Sequence, residues 1–146
     1  DFIKTYFDRL PGVEQYIKDT KQFARDHGYV ETLIGRRRYF PVLAKGSSSR
    51  TAAAEERAAI NMPIQGTAAD ILKLAMIELY GALQAMDTRA KLILQVHDEL
   101  VLEVPDDELA DVQQLVVTTM ENAYQLRVPL VANAEVGRNW RDLEPA

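Results

Sequence analysis

Two runs of strand-forming residues, 92–96 (LILQV) and 100–104 (LVLEV), stand only three residues apart in the chain. Runs joined by so short a connection pair as an antiparallel hairpin, which puts His97, Asp98 and Glu99 at or near the turn. The connection contains neither glycine nor asparagine, the residues that tight hairpin turns favour. Poor turn chemistry indicates that side chains, not backbone preference, determined the sequence here. A purely structural turn stays open as the alternative, since aspartate can hydrogen-bond the local backbone.

Divalent metal binding is the chemistry that suits the two acids of this turn. Mg²⁺ takes carboxylate and phosphate oxygens while it keeps several waters, so a carboxylate at the rim of a sheet leaves room for a phosphate. Adjacent strand residues point to opposite faces, and Glu99 is therefore not expected to share one ion fully with Asp98. The acids at 106–108 and Asp111 fit better as the start of a helix. The sequence predicts half of a magnesium site, which needs a further carboxylate from elsewhere.

The remaining pattern mixes helices and strands without regular βαβ alternation, which predicts an α+β fold with an antiparallel sheet packed against several helices. A second hairpin is expected from 29–35 and 38–43, with arginines at its bend, followed by a flexible loop at 44–49. Pro63 is expected to stop or kink a helix. Helical patterns cover 2–10, 13 to about 24, 51–62, 64–86 and 106–125, and a last strand is expected at about 130–136. The second helix is expected to end at the His27-Gly28 pair, with the glycine as its cap.

Composition excludes several classes of protein. The 146 residues include no cysteine and two histidines, which rules out disulfides and thiolate metal sites and makes a zinc site improbable. No apolar run has the length of a membrane span, so a soluble, cytoplasmic protein without a membrane partner is expected. The net charge is −5, yet basic residues concentrate at 36–57, and a local basic surface can still bind nucleic acid. The chain also begins inside an amphipathic helical pattern, which predicts a piece of a longer protein.

Two sets of polar residues suggest contacts with DNA. Arg57, Asn61 and Gln65 are spaced four apart, and their donors suit the acceptors that every base pair presents in the minor groove. His97 could join them. The arginines at 36–38 suit phosphate oxygens. Solvated surface is the alternative for both sets, and a structural role is the alternative for His97.

Three segments, in this order, resemble the C-terminal palm of family A DNA polymerases, the bacterial DNA polymerase I type: YVETLIGRRRYFP, ERAAINMPIQGTAADILKLAM and LILQVHDELVLEV. The likeness runs across nearly the whole chain, and QVHDE is similar to the family's motif C. The resemblance implies that residues 1–146 are the C-terminal part of a polymerase domain, the end of the fingers and the palm, with the N-terminal part absent. The implied activity is DNA-directed nucleotidyl transfer in DNA replication or repair, at the nucleoid in the cytoplasm.

The resemblance also implies roles for individual residues. The motif C aspartate that binds the catalytic metal ions is matched by Asp98, and its acidic neighbour is matched by Glu99. Positions that touch the primer–template minor groove are matched by Arg57, Asn61, Gln65 and His97. A basic stretch near the template backbone is matched by Arg36, Arg37 and Arg38.

The same resemblance implies a cofactor and partners. Two Mg²⁺ ions are expected, shared with a second aspartate upstream of this chain. Primer–template DNA, a dNTP and the upstream remainder of the polymerase are the expected partners, so this chain by itself is expected to be inactive. Two alternatives remain: a non-catalytic module that grips duplex DNA, and another magnesium enzyme, such as a nuclease or cyclase, that uses Asp98 and Glu99.

Overall fold

The computed structural model describes residues 2–46 and 50–145. Within these residues, five helices and six strands follow in the order α1 Phe2–Arg9, α2 Pro11–His27, β1 Tyr29–Glu31, β2 Arg37–Tyr39, α3 Pro41–Ala44, α4 Arg50–Met86, β3 Lys91–Val96, β4 Glu99–Glu103, α5 Leu109–Asn122, β5 Glu135–Val136 and β6 Glu144–Pro145. The strands pair consecutively as three antiparallel ribbons, and the predicted α+β class is confirmed. The chain divides into two compact units, Asp1–Ala68 and Ala69–Ala146.

The first unit is organised around a small core that helices α2 and α4 share with the first hairpin. Helix α2 is capped by Gly28, whose φ is 75° and whose N–H donates to the Ala24 carbonyl, so the predicted glycine cap is confirmed. The hydroxyl of Tyr16 donates to the Ile60 carbonyl at 2.8 Å, and Glu56 forms ion pairs with Lys21 and Arg25. The buried apolar residues are Ala24, Val30, Phe40, Leu43, Ala52, Ala59 and Met62.

The predicted return strand at 38–43 is wrong beyond Tyr39, because Pro41 begins helix α3. Proline cannot donate to a strand ladder but suits the first position of a helix. The carboxylate of Glu55 accepts the N–H groups of Val42 and Leu43, each at 3.1 Å, and so satisfies donors that a helix start leaves free. Of the loop expected at 44–49, residues 47–49 lie outside the described residues.

The predicted boundary between two helices at Pro63 is also wrong, since α4 continues through it from Arg50 to Met86. Proline removes one backbone donor and costs about 3 kcal/mol inside a helix. Side chains on α4 enter the buried clusters on both sides of this position, which offsets that cost. They are Ala52, Ala59 and Met62 before it, and Ile71, Ala75, Leu79 and Leu83 after it.

The second unit is built on the C-terminal part of α4, the second hairpin and helix α5. Leu79 and Val112 are fully buried in one apolar cluster, and Leu100 and Leu102 of β4 pack against it. The predicted hairpin at 92–104 is confirmed as β3 and β4. The strand expected at 130–136 is reduced to β5, which pairs with β6. No helix in residues 2–46 and 50–145 is both long and apolar enough to cross a membrane.

A polar cluster ties the start of β3 to the start of α5. The guanidinium of Arg89 donates to both oxygens of Asp107 at 2.6 and 2.7 Å, and its Nε donates to Glu108 at 2.7 Å. Thr88 donates its hydroxyl to Glu108, and the Arg89 N–H donates to the same oxygen at 3.0 Å. These bonds, Thr88 first and then Arg89, hold the pKa of Glu108 below its ordinary value. Asp107 and Glu108 thus bind Arg89 rather than serving only as a helix start.

We expect Glu108→Gln to lower the melting temperature at pH 7, because it removes the charge that Thr88 and Arg89 stabilise. A lowered pKa in the folded state contributes stability above the ordinary glutamate pKa of about 4.3, and that stability is lost as the pH falls through the lowered value. The difference in melting temperature between wild type and variant, measured by circular dichroism, should therefore shrink at pH 3.

Asp106→Asn is the matched control for that experiment. Asp106 pairs with Arg138 at 3.1 Å, but both side chains are strongly exposed, so its loss should have no measurable effect. An equal loss for Glu108→Gln at pH 7 and pH 3 would show that packing, not charge, holds this contact.

Candidate functional site

The tip of the second hairpin is a two-residue turn. Val96 pairs with Glu99, which leaves His97 and Asp98 as the two turn residues and makes Glu99 the first residue of β4. The φ angle of His97 is 53°, and a positive φ at the first turn position only is the type II′ pattern, which ordinarily takes glycine. A non-glycine residue in this region costs about 1–3 kcal/mol. The turn therefore carries backbone strain at a position that the sequence marked as functional.

Gln95 stabilises this turn and was missed by the sequence reasoning. Its side-chain Nε2 donates to the His97 carbonyl at 2.6 Å, so it satisfies an acceptor that the strained turn presents. One signal in the sequence could have identified Gln95. It is a side-chain amide in an otherwise apolar strand, two residues before a turn that lacks glycine. Gln95 positions His97 and, through it, the neighbouring Asp98.

Asp98 and Glu99 have the donor chemistry of a partial site for a hard divalent cation. Both residues are exposed, and within residues 2–46 and 50–145 neither carboxylate has a hydrogen bond or ion pair. Carboxylate oxygens are the ligands that Mg²⁺ takes. However, no group of three or more His, Asp or Glu residues in the described part of the chain is arranged to hold a metal ion. The two acids fit one part of a magnesium site and require ligands from another segment.

Arg57, Asn61 and Gln65 form one line of donors on helix α4. Because α4 is continuous through Pro63, the spacing of four residues keeps all three near one face. All three residues are exposed. Among the residues that the structure describes, none of their side chains has a hydrogen-bond partner. This line of donors is therefore available to an external ligand.

The first hairpin is fixed to α4 directly beside Gln65. A Cβ at Gly66 would lie 2.7 Å from Cγ2 of Thr32, so only glycine permits this approach. The Leu33 N–H donates to the Thr67 hydroxyl at 3.0 Å, and that hydroxyl donates to the Pro63 carbonyl. The sequence does not identify the partner of Gly66, because the contacts here join positions 34 residues apart. Gly66 and Thr67 thus position the segment that leads into the arginines.

The three consecutive arginines have different surroundings, and two of them are not at the predicted bend. Arg36 lies in the connection, whereas Arg37 and Arg38 belong to β2. The Arg37 guanidinium lies 4.3 Å from the centre of the Tyr29 ring and its Nε donates to a carboxylate oxygen of Glu31. The Arg38 guanidinium lies 5.4 Å from the Phe40 ring. The arginines therefore form a basic surface with built-in aromatic contacts.

The predicted residues fall into two groups, each within one unit. The first unit contains Arg36, Arg37, Arg38, Arg57, Asn61 and Gln65, and the second contains His97, Asp98 and Glu99. Within the first unit, contacts at Gly66 and Thr67 join the hairpin to the donor line on α4. Within the second, the turn brings His97, Asp98 and Glu99 together.

Known proteins resemble the chain over most of its length. The model of DNA polymerase family A matches residues 1–142. DNA polymerase I of Deinococcus radiodurans is 53% identical over 144 residues, which cover 97% of this chain and 14% of that protein. The thermostable DNA polymerase I of Thermus filiformis is 52% identical over 139 residues, which cover 95% of this chain and 16% of that protein.

A solved structure shares the fold. The POL domain of Pol1 from M. smegmatis, in complex with DNA primer-template and dNTP, matches with a TM-score of 0.83 and 50% identity, covering 88% of this chain and 22% of that one. The chain thus spans 14–16% of the length of the two curated relatives.

We expect Gly66→Ala to lower the free energy of unfolding by about 1–3 kcal/mol, as overpacking does. The added methyl would meet Thr32, which cannot turn away easily because its hydroxyl accepts the N–H groups of Ile34 and Arg36. Gly81→Ala is the matched control on the same helix, with nothing within 4 Å of the new Cβ, and should gain about 0.5–1 kcal/mol. Urea unfolding measures both, and a similar gain at Gly66 would refute the close approach.

We expect His97→Gly to raise the free energy of unfolding by about 1 kcal/mol, since relief of the positive φ exceeds the entropic cost of glycine. His97→Val should lower it, because a β-branched residue tolerates this region least. Asp87, at φ 54°, is the control: Asp87→Gly should gain no more than His97→Gly, since aspartate tolerates positive φ well. Denaturant unfolding gives the order, and a loss of stability in His97→Gly would contradict strain at the turn.

Proposed function

Because the chain belongs to DNA polymerase family A, we propose that it forms the C-terminal part of a DNA-directed DNA polymerase domain, the end of the fingers and the palm. The observation that carries this proposal is the tip of the second hairpin, where a strained His97 and an exposed Asp98 occupy the segment similar to motif C. A protein that accepts backbone strain to keep two particular side chains uses those side chains. In the reaction, the 3′ hydroxyl of a primer paired with a template would attack the α-phosphate of a dNTP, forming a phosphodiester bond as the α–β bond breaks and pyrophosphate leaves.

Asp98 would bind magnesium, with Glu99 as its acidic neighbour. Bound magnesium supplies electrostatic stabilisation of the attacking and leaving oxygens in a phosphoryl transfer. Strand β4, which pairs with β3, packs against the buried cluster of the second unit through Leu100 and Leu102. This packing fixes the position of Asp98. As the family resemblance implies, the second shared aspartate would come from the upstream remainder of the polymerase.

The donor line on α4 would contact the minor groove of the primer–template duplex. Every Watson–Crick pair presents purine N3 and pyrimidine O2 acceptors there at nearly equivalent places. Donors from Arg57, Asn61 and Gln65 could test the shape of a base pair without reading its sequence. His97 would make a similar contact from the hairpin turn.

The arginines of the first hairpin would contact the template backbone. Guanidinium groups pair with phosphate oxygens through charge-assisted hydrogen bonds. The contacts of Gly66 and Thr67 fix the connection that ends at Arg36 onto α4, so these cations have a defined position beside Gln65. Such contacts give orientation and affinity rather than sequence preference.

The chain alone would not extend a primer, because its share of the metal site is incomplete. Family membership favours the polymerase over the two alternative functions. A nuclease or cyclase using Asp98 would act without a primer. A non-catalytic DNA-binding module would bind duplex and yet support no extension when the missing segment is supplied.

We expect Asp98→Asn to lower primer extension at least about a hundredfold, since metal-assisted charge stabilisation is worth several kcal/mol. The test uses a chimaera in which this chain replaces the matching C-terminal segment of the M. smegmatis POL domain. Binding of primer–template, measured by fluorescence anisotropy, should stay within about twofold because Asp98 donates nothing to DNA.

Glu103→Gln is the matched control, an exposed acid at the far end of β4, and it should leave extension unchanged. If Asp98→Asn weakened DNA binding and extension together, a folding role for the turn would replace the metal role. Extension by the 146-residue chain alone with Mg²⁺ and dNTPs would overturn the proposed incomplete site.

A further inference from the structure

The outward face of the first hairpin carries two tyrosines and an arginine. In the antiparallel register, Tyr29 is opposite Tyr39 and Glu31 is opposite Arg37. Because side chains alternate along a strand, these four residues share one face, which we name the tyrosine face. Val30 points the other way and is buried in the first core.

The tyrosine face is organised before any ligand arrives. The rings of Tyr29 and Tyr39 lie 5.9 Å apart, and the Arg37 guanidinium sits 4.3 Å from the centre of the Tyr29 ring. Glu31 holds Arg37 through a 3.1 Å bond to its Nε. Phe23 of helix α2 packs its ring against Tyr29 at 5.6 Å. The Tyr29 ring is therefore held by contacts with Arg37 and Phe23, whereas Tyr39 is 69% exposed.

The charges around this face favour a nucleic acid over an apolar protein surface. Arg36, Arg37 and Arg38 are consecutive, and Glu31 is the one acid of the two strands. Covering Arg37 with apolar surface would cost desolvation that a phosphate avoids by pairing with its guanidinium. Exposed aromatic rings beside cations are the arrangement on which single-stranded nucleic acids stack their bases.

Single-stranded DNA suits this face better than a duplex. In a duplex both faces of each base are already covered by its neighbours, whereas an unpaired base offers an open ring to Tyr39. An exposed tyrosine ring can stack on a base within a duplex only if that base is first unstacked from its neighbours, which costs a few kcal/mol.

We propose that the tyrosine face binds unpaired nucleotides of a DNA strand, with one base stacked on Tyr39 and an adjacent phosphate beside Arg37. This inference rests on the proposed function in taking DNA as the ligand. It adds a site for unpaired bases, separate from the minor-groove donors on α4. Arg37, held against Tyr29, supplies the cation next to the stacked base.

The experiment measures binding of a fluorescein-labelled twelve-nucleotide oligo(dT) to the 146-residue chain by anisotropy. Loss of one stacking contact is expected to weaken binding about fivefold or more in Tyr39→Ala. Tyr39→Phe keeps the ring and should stay within about twofold of wild type. Tyr39→Leu keeps apolar bulk without the ring and should behave as Tyr39→Ala.

Tyr80→Ala is the matched control. Tyr80 is 64% exposed on α4, outside the tyrosine face, and its loss should leave oligo(dT) affinity unchanged. Arg37→Gln should reduce the slope of log affinity against log salt by about 0.7, the value for one phosphate contact to a single strand. Melting curves establish whether each variant is folded. If Tyr39→Ala is unfolded, the comparison of oligo(dT) affinity between Tyr39→Leu and Tyr39→Phe tests the proposal instead.

A blunt DNA duplex measured in parallel separates this inference from the proposed function. The stacking site alone is overturned if the wild type binds the duplex but not oligo(dT). It is also overturned if duplex binding persists while Tyr39→Leu and Tyr39→Phe bind oligo(dT) with equal affinity. Equal weakening of duplex and oligo(dT) by Tyr39→Leu also overturns it, since the contact would not require an unpaired base. Failure of the wild type to bind either DNA overturns both proposals.

Discussion

The passage of helix α4 through Pro63 is the constraint on which most of the molecule depends. The proline costs about 3 kcal/mol, whereas burial of one leucine side chain contributes about 1.5–3 kcal/mol. Leu79 and Leu83 alone, both nearly inaccessible to solvent, offset that cost. The helix can therefore supply buried residues to each of the two units, and its continuity aligns Arg57, Asn61 and Gln65. A break at Pro63 would remove the line of donors.

The second hairpin shows the opposite balance, in which local backbone preference yields to side-chain chemistry. The strands are held by ordinary apolar packing, but the turn holds His97 at a positive φ and Asp98 without an intramolecular partner in the described chain. Gln95 supports the turn through one hydrogen bond. The turn thus gives up part of the stability that the strands provide, at the position where the two acidic side chains are exposed. The first hairpin shows a similar division, because Val30 is buried in the core whereas Tyr39 is exposed.

Local sequence patterns predicted the features that depend on neighbouring residues. The cap at Gly28, the pairing of β3 with β4 and the α+β class all follow from such patterns. The features that the sequence did not predict depend on distant partners. Helix α3 is held by Glu55, α4 continues through Pro63 because its residues on both sides of the proline are buried, and Gly66 is in close contact with Thr32. A half-complete metal site stays a prediction from the chemistry of Asp98 and Glu99, and the roles assigned to the donors rest on the family resemblance. Gln95 was missed because a hydrogen bond to a turn carbonyl leaves no periodic signal.

Helix α3 has a further consequence for how the first unit folds. Four residues are too few to form a helix independently, because nucleation fixes more backbone freedom than one hydrogen bond returns. Two of its amide groups bond to Glu55, a residue of α4. The hydrogen exchange of the Val42 and Leu43 amides therefore reports whether this stretch is docked on α4, and not any stability of its own. These two amides are a built-in reporter of long-range assembly within the first unit.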